Sequence, residues 1–162
     1  MEVKVEAPPL VMNEDVKNSL ILSISENTVY HLSCAFYHLF KNDLVFLSKK
    51  NDIWLSKFNN INRWEIINSE YVSELFNNHI NEELNKLAIH YESSSENINC
   101  PYMQAVNTIS GIKDNIKYYS ETSIEELQEY FSVPDIAGFL SNYIENDNII
   151  EITGQLFDRY II

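Results

Sequence analysis

Apolar positions recur along this chain in two rhythms, and the change of rhythm marks its elements. From about Asn27 to Lys41, the residues Val29, Leu32, Phe36, Leu39 and Phe40 recur at helical spacing, so one face of a helix is apolar. Asn42 and Asp43 supply a stop. The rhythm then shortens: LVFLS (44–48), IWLSK (53–57) and RWEII (63–67) read as three short strands, with Asn51-Asp52 and Asn59-Asn60 fitting tight turns between them. Helical spacing returns over residues 70–91, where Val72, Leu75, Phe76, His79, Ile80, Leu84, Leu87 and Ala88 line one side and Ser69 is placed to cap. Residues 92–100 (ESSSENINC) read as a loop, and Pro101 opens a further helix carrying Met103, Val106, Ile109 and Ile116, with Gly111 a candidate break.

The two ends follow other patterns. Residues 1–15 read as an extended arm, because Val3 and Val5 alternate with charges and Pro8-Pro9 forbids a helix there. Over residues 16–24 (VKNSLILSI) the apolar spacing fits strand and helix equally. Near the other end, Ser123 and Glu126 form a capping box that opens a helix through Phe131. Pro134 opens a second helix through about Glu145, and Ile149, Ile150 and Ile152 read as a strand before Gly154 turns the chain back. Helix, short turn, helix and hairpin is the plan of a winged helix-turn-helix. The expected fold class is therefore α+β: helices with a small three-stranded antiparallel meander, plus a C-terminal winged helix-turn-helix. The expected organisation is an arm over 1–15, a helix-plus-meander domain over 16–118 and a winged-helix unit over 119–162.

Charge changes this picture most. The 162 residues carry a formal net charge of −13, and an acidic surface repels phosphate backbones, so any nucleic-acid site must be a local basic patch. Residues 41–64 are such a patch: Lys41, Lys49, Lys50, Lys57 and Arg63 stand against Asp43 and Asp52, a net of +3. Trp54 and Trp64 lie in the same stretch and have the faces on which bases stack. The competing reading makes both tryptophans core residues of a small sheet, which is the commoner use of Trp. Residues 119–162 are the opposite case, with nine carboxylates against Arg159 alone, a net of −8. The second helix of the expected winged unit contains no Lys or Arg, so insertion into a DNA groove meets repulsion at each phosphate. Its residues Asp135, Phe139, Asn142 and Glu145 are instead expected to dock a protein or a second copy of the chain.

Catalytic chemistry finds little footing. There is no GxSxG elbow, and Gly111, Gly138 and Gly154 are too far apart to build a phosphate loop. His31, Cys34 and His38 share a side of one predicted helix, with Cys100 a fourth candidate zinc ligand, but CxxC pairs are lacking and packed or surface roles weigh more. No enzyme, cofactor or metal is expected. Two cysteines make no disulfide framework, which points to a thiol-reducing, intracellular setting. The first fifteen residues lack a leader-like apolar core, and no run of eighteen apolar residues exists, so no membrane span is expected.

The stretch YHLFKNDLVFLSKKNDIWLSKFNNINRWEII resembles the linker region that precedes the helicase in D5-like primase–helicases of large DNA viruses and phages. The resemblance covers residues 28–118. In that family a helix ending in Tyr-x-Leu-(Tyr/Phe)-Lys-x-Asp is followed by strands bearing a Trp and then an Arg-Trp pair; Tyr37, Leu39, Phe40, Lys41, Asp43, Trp54, Arg63 and Trp64 stand at those positions. GIKDNIKYY (111–119) is similar to the segment that closes the region. The family's ATPase parts have no counterpart here, so the resemblance implies a replication-associated module. The expected function is non-enzymatic binding, with single- or double-stranded DNA on Lys49, Lys50, Trp54, Lys57, Arg63 and Trp64, and a replication protein or a homodimer partner on the acidic unit. The alternatives are a protein-interaction adaptor or a DNA-mimic inhibitor with no nucleic-acid contact, and, in a third class, a hydrolase using scattered carboxylates.

Overall fold

The computed structural model describes residues 10–26, 28–49, 52–57, 64–94, 101–135 and 138. Among these the fold is α+β, with six helices and a three-stranded antiparallel sheet. Helix α1 spans Glu14–Glu26, α2 Tyr30–Phe40, α3 Ser69–Ser94, α4 Pro101–Asp114, α5 Ile116–Thr122 and α6 Ile124–Tyr130. Strands β1 (Leu44–Ser48), β2 (Ile53–Ser56) and β3 (Glu65–Ile67) lie in the order β1-β2-β3. The chain divides into two compact units, each built from two segments: Met1–Leu39 with Ser73–Ser123, and Phe40–Val72 with Ile124–Ile162. This division differs from the one expected at residue 119. It takes the meander out of the 16–118 block and groups it with the acidic residues that follow Ser123.

The first unit is helical. The ambiguous residues 16–24 belong to α1, whose start is capped by Asn13: its Oδ1 accepts the backbone N–H groups of Asp15 (2.8 Å) and Val16 (3.3 Å). Val16 and Leu20 on α1, Leu32, Ala35 and Phe36 on α2, Phe76, Ile80, Leu84 and Leu87 on α3, and Ile109, Ile112 and Ile116 further on are all buried. Phe36 and Phe76 meet with ring centroids 5.4 Å apart. Gly111 does not break α4, which continues to Asp114; a Cβ there would meet nothing within 4 Å.

The second unit is built on the sheet. Its strands occupy the three stretches expected for them, with β2 ending at Ser56 and β3 starting at Glu65. Val45 pairs with Leu55 and Phe46 with Trp54, whereas Ser48 pairs with Ile53, so Leu47 is the extra residue of a bulge. Every β2 side chain is buried, a pattern of a strand covered on both faces. Part of that cover comes from far along the chain. Leu127 and Phe131 of the α6 segment are buried, the Phe131 carbonyl accepts the Phe46 N–H at 2.9 Å, and Ser132 forms an isolated parallel bridge with Phe46.

Candidate binding site on the meander

The turn between β1 and β2 is held by a polar chain. Asp52 adopts a left-handed backbone with φ of 51°, a conformation Asp tolerates better than most residues. Both of its carboxylate oxygens accept the backbone N–H of Ser69 at 3.1 Å, and the Ser69 hydroxyl donates to the same carboxylate. The Ser69 oxygen in turn accepts the indole N–H of Trp54 at 3.2 Å. A carboxylate at the first turn of α3 also complements the helix dipole. Ser69 is thereby committed to the sheet, and the cap falls to Asn68, whose Oδ1 accepts the Tyr71 N–H at 2.9 Å. Similarly, Ser123 buries its hydroxyl without a hydrogen-bond partner, so the expected capping box is not closed by that side chain.

The two tryptophans are core residues. Trp54 is 0% and Trp64 2% exposed. The Trp54 ring lies 5.0 Å from Phe46 and 5.9 Å from Phe131, and the Lys57 ammonium sits 4.6 Å over the Trp64 ring. Their burial fits the competing reading of both as core residues, and neither ring has an exposed face on which a base could stack. Lys57, half-buried over Trp64, is engaged within the protein. Lys49 remains exposed at the end of β1, with its Nζ 4.0 Å from Glu125 Oε1. Lys41 is exposed at the end of α2. Lys50 and Arg63 lie outside the described residues, as do Phe139, Asn142 and Glu145 of the expected protein-binding helix. Asp135 of that set is exposed, and its Oδ1 accepts the Gly138 N–H at 3.0 Å.

The candidate metal ligands have separate roles. His31 Nε2 is 2.7 Å from Glu26 Oε2, Cys34 is a half-buried free thiol, and Cys100 lies outside the described residues. Among the described residues no group of three or more His, Cys, Asp or Glu is placed to hold a metal ion, and no helix is long and apolar enough to cross a membrane. A cleft in the helical unit, lined by Ser23, Thr28, Val29, Leu32, Ile112 and Tyr119, has about 190 Å³ including its open mouth, below the range of pockets that take drug-sized ligands.

Three participants had no readable signal as partners. Asp52 reads as a turn residue, but nothing local says that it reaches Ser69, and Asn68 carries no reading of its own beside the Ser69 expected to cap. Phe131 reads as a helix end, and its place beside Trp54 follows only from the tertiary fold. No protein-family model matches the chain, and no curated protein or solved structure matches it.

Proposed function

We propose that this chain is a non-enzymatic protein-interaction module whose meander is a structural core and not a nucleic-acid platform. One observation carries the reading: the two indole rings that base stacking requires are both buried. Charge points the same way. The described part of the sheet unit carries Lys41, Lys49 and Lys57 against eight carboxylates (Asp43, Asp52, Glu65, Glu70, Glu125, Glu126, Glu129 and Asp135), so a phosphate backbone approaching it meets net repulsion. The protein-binding half of the proposal is the acidic C-terminal segment in its winged helix-turn-helix reading, with Asp135, Phe139, Asn142 and Glu145 toward the partner. The resemblance to the primase–helicase linker region adds a replication protein as the partner class.

Binding of labelled single- and double-stranded DNA across a salt series tests this. The expected result is no detectable binding even at low salt. Salt-sensitive binding that falls on replacing Lys49 and Lys50 by Glu overturns it in favour of a second reading, in which DNA is held by exposed cations without stacking. The exposure of Lys41 and Lys49 is the observation that favours that second reading.

A further inference from the structure

We propose that α6 is a built-in electrostatic screen that keeps polyanions off the cationic end of β1, with Glu125 and Glu129 as the residues that set this selectivity. The inference concerns the same meander as the proposed function but has a separate readout.

The first support is that α6 is fixed beside β1 by its core and not by its charges. Leu127 and Phe131 are buried at 0% and 4% exposure, the Phe131 carbonyl accepts the Phe46 N–H, and its ring contacts Trp54. Neutralising a surface carboxylate therefore leaves the helix in place. The second is that Glu125 and Glu129 stand four residues apart, on one face of α6, and both are exposed. Glu126 is occupied otherwise, accepting the Tyr130 hydroxyl at 2.6 Å. The third is the meeting of opposite charges: the side chains of Lys49 and Glu125 are 75% and 86% exposed and lie 4.0 Å apart.

As a contribution to stability that exposed pair is worth little. Its effect on a third charge is another matter. A phosphate that approaches Lys49 enters within a few ångströms of Glu125, well inside the Debye length of about 10 Å at 0.1 M salt. The attraction Lys49 offers is offset by a carboxylate that the fold holds in place. An interaction of about 1 kcal/mol at 4 Å in water corresponds to about a fivefold change in affinity.

The test compares the full chain with Glu125→Gln/Glu129→Gln, with Lys49→Gln, and with the triple variant, each checked for unchanged circular dichroism. Two chemically distinct polyanions serve as probes, labelled single-stranded DNA and inorganic polyphosphate, at low and high salt. At low salt the double variant is expected to bind both probes measurably, at least about fivefold more tightly than the detection limit beneath which DNA binding by the original chain lies. That gain is expected to vanish in the triple variant and at high salt. No gain, no measurable binding by the double variant, a gain for DNA alone, or a gain that survives Lys49→Gln overturns the screen. Tight DNA binding by the unaltered chain overturns the proposed function instead, so the two failures are told apart.

Discussion

The two units build their cores by different means. The helical unit is held by aliphatic side chains at regular spacing, with Leu20, Leu32, Ile80, Leu84 and Leu87 all fully buried beside the buried rings of Phe36 and Phe76. The sheet unit has short strands and depends on large rings, Trp54 against Phe46 and Phe131 and Trp64 beneath Lys57, together with the Trp54–Ser69–Asp52 hydrogen-bond chain. Helices satisfy their own backbone and ask only for an apolar stripe. A three-stranded sheet cannot cover itself, so it borrows a helix turn and a distant segment. Charge does not separate the units: by sequence the first holds five cations against twelve carboxylates and the second six against twelve.

The contrast is broken most severely by removing its largest ring. Trp54→Ala is expected to cost about 3–5 kcal/mol in a urea unfolding curve, more than Ile80→Val in the helical unit at about 0.5–1.5 kcal/mol; equal losses would erase the distinction. Asp52→Ala leaves the Ser69 N–H and hydroxyl without their acceptor and is expected to cost about 1–3 kcal/mol, measured in the same way. The caps should behave alike in both units, with Asn13→Ala and Asn68→Ala each losing about 1 kcal/mol. Lys57→Ala removes the cation above Trp64, an expected loss of about 0.5–1 kcal/mol that high salt reduces. The smallest effect is optical. Both tryptophans belong to the sheet unit, so native fluorescence should be blue-shifted, weakly quenched by acrylamide and unchanged on adding single-stranded DNA; quenching by DNA would return the indoles to a ligand-facing role.

Legibility differed between the units for the same physical reason. The apolar stripes of α2 and α3 are local patterns: Leu32, Phe36 and Phe40, then Val72, Leu75, Phe76, Ile80, Leu84 and Leu87 are buried as the spacing predicts, whereas Leu39, His79 and Ala88 are half-buried and Ser33 and Ala35 are buried outside the predicted stripe. The strands were legible as segments, and the continuous apolar run of β2 matches its complete burial. Which way Trp54 and Trp64 face was not legible, since an aromatic in a short strand has the same sequence signature whether it packs or stacks. The capping role expected of Ser69 went to Asn68 because a long-range acceptor, Asp52, competes for the serine. The charge windows of 41–64 and 119–162 look segregated along the chain, yet Lys49 of the first and Glu125 of the second stand 4.0 Å apart. Linear windows carry no information about that meeting.

The contact between Phe131 and β1 sets an order of events during synthesis. The three strands leave the ribosome long before the segment that completes them, so the nascent meander exists for a time without the ring beside Trp54 or the carbonyl opposite Phe46. Over that interval an indole and an unfilled strand edge stay open to chaperones or to a neighbouring polypeptide. Once residue 131 has itself left the ribosome, the chain supplies its own cover.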